Sequence, residues 1–309
     1  MGSIVSASEP LGDRDSAGRA VVGTIVARNY IAYAAVLAAS VRSTNAHLDF
    51  VTLVVDGQDS DRARTELGRV VLPGDLGLPP EQLEPMTVMY TVMELSTGLK
   101  PAFLRHLLRS GSGYDVAAYL DPDVMVVGSL DGAVEAARRS AIALTPHVLT
   151  PMPRDGLEIA ERAVMRSGIF NLGFIAVGPR SGPFLDWWHE RLTTDAVVDF
   201  SEALFTDQRW VDWVPALFEH TVLRDPGLNV AYWNAHERPL TLDGNGRVLA
   251  DGSPLVFVHF SGFEASRPWA LSRFTGRNPR ALVSESPVLA DLCIDYAKRL
   301  EAANNDEHR

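Results

Sequence analysis

Residues 116–129 read Val-Ala-Ala-Tyr-Leu-Asp-Pro-Asp-Val-Met-Val-Val-Gly-Ser, so two carboxylates stand between two apolar runs. A buried strand that ends in Asp121 and Asp123 is costly, because like charges repel and burial disfavours both ionised forms. A divalent cation such as Mg²⁺ or Mn²⁺ between the carboxylates removes that cost, and such ions usually bind substrate phosphates. Asp-Pro-Asp is also ordinary turn chemistry. The apolar runs on both sides favour a metal–diphosphate site over a turn.

The composition is that of an ordinary globular protein. The chain has 309 residues, of which 46% are hydrophobic and 22% charged, and its formal net charge is −11. This charge argues against a nucleic-acid-binding surface, which needs a basic patch. There is no run of about 18 apolar residues that would predict a membrane span. The single cysteine, Cys293, lies at helical spacing among apolar residues, which indicates a buried structural thiol.

The N-terminal residues 1–20 are small, polar and rich in Gly and Ser. They lack the basic and apolar regions of a signal peptide. We therefore expect a disordered segment over residues 1–20, a single domain over residues 21–309 and a cytoplasmic location.

The first half of the chain alternates between strand and helix patterns. Strands are predicted at 21–26, 50–55 and 115–120, helices at 30–43, 59–69 and 94–109, and a loop at 72–85. The last of these helices is predicted to be interrupted near Pro101. This alternation predicts an α/β fold with a mostly parallel central sheet flanked by helices. Ligands bind beyond the carboxyl ends of such strands, where Asp56 and Asp121 share one rim. Ser129 is predicted to cap the helix that follows.

The second half is less regular. An apolar strand is predicted at 172–177, and helices at 183–192, 202–217 and 281–303. A small β-meander is predicted from strands at 240–242, 248–250 and 255–260, because the Asp-Gly-Asn-Gly turn at 243–246 supplies the positive φ angles that hairpins need.

Further segments carry polar side chains that could do chemistry. Residues 24–30 leave a strand and enter a helix, so their backbone N–H groups can meet an anion or the edge of a base. Lys100 lies in an apolar context, where it would neutralise a phosphate or pair with an acid. An ordinary exposed helix lysine is the equally weighted alternative.

Amide, carboxylate and imidazole groups follow later in the chain. Asn171 begins a strand, and Asp207 and Gln208 lie near the start of an apolar helix, so they offer partners for sugar hydroxyls. Turn and capping roles are the alternatives for Asn171 and Asp207. His259 alternates with aromatic residues and is either a core histidine or a third ligand of Mn²⁺. Arg267 is placed to hold the second phosphate of a leaving diphosphate.

The order of these motifs resembles the GT-A glycosyltransferases, and within them the retaining group of glycosyltransferase family 8, which includes glycogenins and bacterial lipopolysaccharide galactosyltransferases. The motifs are Leu-Asp-Pro-Asp, Phe-Asn-Leu-Gly, Asp-Gln, His-Phe-Ser-Gly and Arg-Pro-Trp, spread over residues 21–269. The family usually carries Lys where this chain has Arg267. That difference keeps the charge and alters the geometry of phosphate binding.

The resemblance implies a site for a nucleotide-sugar donor. The ligands of Mn²⁺ or Mg²⁺ would be Asp121, Asp123 and His259. The other implied contacts are Thr24, Ala27, Asn29, Tyr30 and Asp56 with the base, Asn171, Asp207 and Gln208 with the donor sugar, and Lys100 and Arg267 with the diphosphate.

The expected reaction is transfer of a hexose from a nucleotide diphosphate, UDP by family default, to a hydroxyl acceptor, with retention of anomeric configuration. A sugar nucleotidyltransferase is the competing enzyme class, but it would prefer a Gly-rich basic loop that residues 24–30 lack. A non-catalytic glycan-binding scaffold is the third alternative, because the six tryptophans include candidates for stacking on sugars. Residues 232–238 are read either as an acceptor cleft or as an ordinary loop.

Overall fold

The computed structural model describes residues 18–109 and 111–304. Disorder is predicted for residues 1–20, and residues 1–17 of this segment lie outside the described residues. Its last two residues, 19 and 20, belong to a strand that begins at Arg19. That residues 21–309 form a single domain stays a prediction.

Fourteen strands and ten α-helices are defined in this part of the chain. The strands are β1 (Arg19–Val26), β2 (Asp49–Val54), β3 (Arg69–Val71), β4 (Tyr114–Leu120), β5 (Val124–Val126), β6 (Ile142–Pro146), β7 (Phe170–Val177), β8 (Val198–Asp199), β9 (Leu204–Phe205), β10 (Thr221–Val222), β11 (Leu240–Leu242), β12 (Val248–Ala250), β13 (Ser253–Pro254) and β14 (Phe257–His259). The helices are α1 (Ile31–Thr44), α2 (Pro80–Met89), α3 (Val92–Gly98), α4 (Lys100–Leu108), α5 (Asp131–Ser140), α6 (Glu161–Ser167), α7 (Gly182–Leu192), α8 (Gln208–Val211), α9 (Val214–Leu217) and α10 (Pro287–Ala302).

A seven-stranded sheet forms the centre, in the order β10-β6-β7-β4-β1-β2-β3. The pairs β1–β2, β1–β4, β2–β3 and β6–β10 are parallel, whereas β7 runs antiparallel to both β4 and β6. The predicted α/β fold with a mostly parallel central sheet flanked by helices is confirmed.

Helices cover both faces of this sheet. Phe103 of α4 packs in one apolar layer and Leu37 of α1 in the other. Successive residues of a strand point to opposite faces, and Val21 and Val22 of β1 accordingly belong to different layers. Burial on both faces explains why the central strands are nearly continuous apolar runs.

Several predicted helices are shorter or broken. The helix predicted at 59–69 is wrong, because two 3-10 helices, Asp59–Ala63 and Thr65–Leu67, are followed by strand β3. Gly68 ends the second of them with φ of 71°, and a Cβ there would lie 2.4 Å from the carbonyl oxygen of Phe50. Only a glycine allows the chain to turn this closely against β2.

Proline and local packing change the other helices. The interruption predicted near Pro101 in the helix at 94–109 is confirmed, because two helices, α3 and α4, cover this stretch. Pro101 lies in the first turn of α4, where a missing N–H is tolerated. The helix predicted at 202–217 is replaced by β9, α8 and α9. The loop predicted at 72–85 contains a 3-10 helix, Pro73–Leu76, and the start of α2.

The predicted β-meander is partly wrong. β11 and β12 form its first two strands, but its third strand is β13. The stretch predicted as that third strand contributes β14 instead, which pairs antiparallel with β5. The predicted cap at Ser129 is also wrong, since Leu130 occupies the N-cap position of α5 and Ser129 Oγ accepts a hydrogen bond from the backbone of Asp131.

Within residues 18–109 and 111–304, none of the helices has the length and apolar character needed to cross a membrane.

Candidate metal and nucleotide-sugar site

Three potential metal ligands converge where β4 ends. The chain leaves β4 at Asp121, whose backbone N–H donates to the carbonyl of Gly173 in β7 at 2.9 Å. The pairing of β5 with β14 then brings His259 beside Asp123, and Phe260 N–H donates to the Asp123 carbonyl at 2.8 Å. The fold thus joins residues that lie 136 positions apart in sequence (259 minus 123).

The side chains of this triad, defined as Asp121, Asp123 and His259, offer ligand atoms that all lie within 4.8 Å of one another. Nε2 of His259 is 3.1 Å from Asp123 Oδ1 and 3.7 Å from Asp121 Oδ2. Two carboxylates and one imidazole are a donor set that suits Mn²⁺ and also accepts Mg²⁺. The residues present therefore fit the cation that the sequence predicted.

Burial and neighbouring charges shift the pKa values of Asp121 and His259. Burial raises the pKa of the Asp121 carboxyl, although the positive charges of Lys100 and His259 oppose this rise. Burial alone would lower the pKa of His259, but the carboxylates of Asp123 and Asp121 together outweigh it, and the pKa is raised. The pKa of each of these two groups thus depends on neighbouring charges as well as on burial, as is common at functional sites.

The side of His259 that faces away from the carboxylates is held by amides. Its Nδ1 lies 3.1 Å from Asn171 Oδ1 and 3.2 Å from Asn229 Oδ1. The ring also packs directly on the backbone of Gly173, where a Cβ would lie 2.2 Å from His259 Cε1. The imidazole is therefore confined on three sides and presents Nε2 to the carboxylates.

Lys100 lies in the interior next to the triad. Its side chain is 1% exposed, and Nζ is 2.6 Å from Asp207 Oδ2 and 3.9 Å from Asp121 Oδ1. Nζ also donates to the carbonyl of Leu172 at 3.0 Å and lies 4.2 Å from the centre of the Tyr119 ring. The alternative of an exposed helix lysine is thereby excluded.

Gln208 and Asn171 form a hydrogen-bonded group with β7. Gln208 Oε1 accepts from the backbone N–H of Leu172 at 3.0 Å and from Asn171 Nδ2 at 3.3 Å, while its Nε2 donates to the Ser167 carbonyl at 2.7 Å. Asp207 does not cap α8 with its side chain. The carboxylate of Asp207 instead lies against the buried Nζ of Lys100.

The predicted base-binding residues lie at or just beyond the ends of β1 and β2. Thr24 is buried, and its Oγ1 has no hydrogen-bond partner among the described residues. Ala27 is buried, and Asp56 accepts a hydrogen bond from the Arg28 backbone at 2.8 Å. Asn29 is exposed. These side chains form a rim rather than a closed pocket.

Tyr30 links this rim to the triad. Its ring is 41% exposed and stacks on Tyr33 with a centroid distance of 4.8 Å. A cavity of about 160 Å³ is lined by Tyr30 and by Asp123 of the triad, and its wall also includes Ser261 and Arg273. The cavity thus connects the predicted base-binding and metal-binding residues.

Arg267 does not line this cavity, although its partner Glu264 does. It is exposed, and its guanidinium lies 3.4 Å from Glu264. The cavity wall contains Arg273 instead, whose backbone N–H donates to the Gly262 carbonyl at 2.9 Å. The sequence motifs did not predict Arg273, because it lies beyond the Arg-Pro-Trp motif in a segment without helical or strand periodicity.

Two further residues were missed. Asn229 and His147 are buried polar residues that contact Asn171. Their only sequence signal is a polar residue among apolar neighbours, as Asn229 stands between Leu228 and Val230. That pattern does not tell a site residue from a buried structural one.

Comparison with known proteins agrees with the fold. No family model matches the chain. Two uncharacterised proteins of Bacillus subtilis strain 168 are similar: YfnF at 28% identity over 170 residues (53% of this chain and 55% of YfnF), and YfnD at 28% over 180 residues (56% and 55%). The chain spans about half the length of these curated relatives.

Two solved structures cover most of the chain. An active-site mutant of LgtC, a galactosyltransferase, matches with a TM-score of 0.52 at 16% identity, over 90% of this chain and 95% of LgtC. The glycosyltransferase GlyE of Streptococcus pneumoniae TIGR4 matches with a TM-score of 0.50 at 16% identity, over 95% of this chain and 64% of GlyE. At this identity the likeness concerns the fold, and the protein has the GT-A fold of these glycosyltransferases.

Proposed function

We propose that the protein is a metal-dependent glycosyltransferase that moves a hexose from a nucleotide diphosphate, UDP by preference, to a hydroxyl acceptor with retention of configuration. The observation that carries this proposal is the triad at the end of β4, next to the buried pair of Lys100 and Asp207. A cation site beside a buried cation–carboxylate pair suits a diphosphate leaving group and an adjacent sugar.

The triad would hold Mn²⁺ or Mg²⁺, and the bound ion would supply Lewis-acid stabilisation of charge on the departing diphosphate. The partly exposed ring of Tyr30 lines the cavity that Asp123 also lines, and it would offer a stacking surface for the base. Arg273 lines the same cavity, and a guanidinium can bind two oxygens of a phosphate. We therefore assign the phosphate role to Arg273 rather than to Arg267.

Asp207, Gln208 and Asn171 would surround the donor sugar. In a retaining transfer, the bond from the anomeric carbon to the diphosphate oxygen breaks, and the acceptor oxygen forms its bond on the same face. The acceptor proton passes to the departing phosphate oxygen. The carboxylate of Asp207 would favour the positive charge that develops at the anomeric carbon, and Lys100 Nζ lies 2.6 Å from its Oδ2.

Calorimetric titration tests the proposal. UDP, GDP and their hexose conjugates are titrated into the wild-type protein with Mn²⁺ and again with EDTA. We expect metal-dependent binding of one nucleotide, loss of that binding in Asp123→Asn, and wild-type binding in Asp131→Asn, an exposed carboxylate on α5. Absence of nucleotide binding under both conditions would overturn the proposal and favour a glycan-binding scaffold.

A further inference from the structure

We propose that Asn229 is a positioning residue that fixes the tautomer of His259 and so leaves Nε2 free to bind a divalent cation. The inference rests on the proposal that the triad holds this cation. The side-chain hydrogen bonds of Asn229 within the described residues go to Thr145, Asn171 and His259, and not to the carboxylates of Asp121 or Asp123.

The two ring nitrogens of His259 have different environments. Nε2 faces the carboxylate oxygens of Asp121 and Asp123, and Nδ1 faces the amide oxygens of Asn171 and Asn229. An amide oxygen can only accept a hydrogen bond. Nδ1 must therefore carry the proton, and the neutral imidazole then has its lone pair on Nε2, where a cation would lie.

Asn171 alone does not fix this arrangement. Its Oδ1 already accepts from the backbone N–H of Gly173 at 3.1 Å and from Asn229 Nδ2 at 3.0 Å, which fills its two lone-pair positions. Among the described residues, His259 is the only one whose side chain lies within hydrogen-bond distance of Asn229 Oδ1. The oxygen of Asn229 is therefore the acceptor available to Nδ1–H.

The amide of Asn229 cannot rotate to present its nitrogen instead. Its Nδ2 donates to Thr145 Oγ1 at 3.1 Å and to Asn171 Oδ1 at 3.0 Å, and both contacts are buried. A rotated amide would place its NH₂ group against Nδ1–H and its oxygen against the oxygen of Asn171. Each of those contacts would leave buried polar atoms unpaired, which is costly.

The backbone around Asn229 supports the same position. Asn229 has φ of 59°, a left-handed conformation that asparagine tolerates better than most residues. Asn234 Nδ2 donates to the Asn229 carbonyl at 2.9 Å, and Val230 accepts from the His259 N–H at 2.8 Å. The segment is thus tied directly to the strand that carries the ligand.

The test uses the full chain and three variants. Asn229→Gly removes the side chain but keeps a residue that accepts positive φ. Asn229→Asp keeps an oxygen facing Nδ1. Asn45→Ala is the control, because Asn45 is equally buried and bonds the backbone of Gly128 and Leu130, residues outside the triad. Mn²⁺ alone is titrated into each protein, and long-range ¹H–¹⁵N spectra at alkaline pH report the His259 tautomer without metal.

We expect Asn229→Gly to weaken Mn²⁺ binding about tenfold or more and to shift His259 toward a mixture of tautomers. Asn229→Asp should restore the Nδ1–H form. Equal Mn²⁺ affinity in Asn229→Gly and Asn45→Ala, or an unchanged tautomer in Asn229→Gly, would overturn the inference. A wild-type protein that binds no Mn²⁺ would refute the cation site, and the metal-free spectra would still decide the role of Asn229.

Discussion

Lys100 and Asp207 form a buried ion pair beside the triad. Both side chains are almost fully buried, at 1% and 3% exposure, and Nζ is 2.6 Å from Oδ2. A buried charge without its partner is strongly destabilising, whereas removal of both charges is often tolerated.

The variant Lys100→Met should therefore lower the free energy of unfolding by about 3–5 kcal/mol, because it leaves the Asp207 carboxylate buried and unpaired. The double variant Lys100→Met/Asp207→Asn should recover most of this loss. Urea denaturation of the wild-type protein, both single variants and the double variant measures the coupling. Losses that simply add in the double variant would contradict the pairing.

Arg273 and Arg267 provide a second test at the level of single residues. A charge-assisted hydrogen bond to a phosphate contributes about 1.5–3 kcal/mol, which corresponds to about 10- to 100-fold in affinity. Arg273→Gln should weaken the binding of UDP with Mn²⁺ by about that factor. Arg267→Gln should leave it unchanged, since Arg267 pairs with Glu264 at the surface.

Uridine without phosphates is the matched ligand for this comparison. Its affinity should be the same in Arg273→Gln as in the wild-type protein, because the base and ribose keep their contacts. A loss of UDP binding in Arg267→Gln together with wild-type binding in Arg273→Gln would reverse the assignment.

The sequence predicted part of this site because some residues carry a signal of their own. Asp121 and Asp123 stand out as charges between apolar runs, and His259 stands out among aromatic residues. Asn229 and Arg273 have no such pattern. Their contacts depend on how the segments after β10 and β14 fold back onto the sheet, which is a tertiary property.

Among the elements, β7 and β14 approach each other closely enough to require a glycine. A Cβ on Gly173 of β7 would lie 2.2 Å from Cε1 and 2.4 Å from Nδ1 of His259 in β14. No real side chain fits at such distances, so the imidazole would have to move.

Gly173→Ala should displace His259 from Asp123 and weaken Mn²⁺ binding about tenfold or more. Gly132→Ala in α5 is the control, because beyond the neighbouring residues and backbone of its own helix no atom lies within 4 Å of the added Cβ. Mn²⁺ titration and thermal unfolding are measured on both variants. Wild-type Mn²⁺ affinity in Gly173→Ala would show that the ring is not confined by β7.

The elements that the sequence predicted well are the long buried ones. The apolar runs of β1, β4 and β7 and the helical period of α10 are signals that local chemistry alone produces. Strands β3 and β6 were missed because they are short and because no hairpin turn motif marks them, in contrast to the similarly short β11 and β12. The pairing of β14 with β5 was also missed, since register between distant segments is decided by packing and not by either sequence.

At the scale of the whole molecule, buried histidines link stability to pH. Burial lowers the pKa of His147 from its usual value of 6.5 to about 4, and the positive charges of His259 and Arg238 act in the same direction. Hydrogen bonds to the backbone at Ile169 and Gly168 oppose this change. His147 is therefore neutral in the folded protein at pH values where the unfolded chain is protonated.

The sign of the effect follows from proton binding. Above the unfolded pKa of 6.5, neither state binds a proton at His147, and its contribution to stability is at its maximum. Between 6.5 and about 4, only the unfolded state binds it, so stability falls as pH falls. The two pKa values together correspond to a loss of about 3 kcal/mol by the acid end of this window.

The variant His147→Gln should remove this pH-dependent contribution to the free energy of unfolding, because glutamine does not titrate. Other groups also change stability over this range, including His106 and His189, whose pKa values are lowered by burial. The measured quantity is therefore the difference in unfolding free energy between wild type and variant, from about pH 7.5 to about pH 4.5, by urea denaturation. This difference should shrink by about 2–3 kcal/mol toward acid. A difference that is constant across the range would mean that His147 takes up its proton in the folded protein as readily as in the unfolded chain.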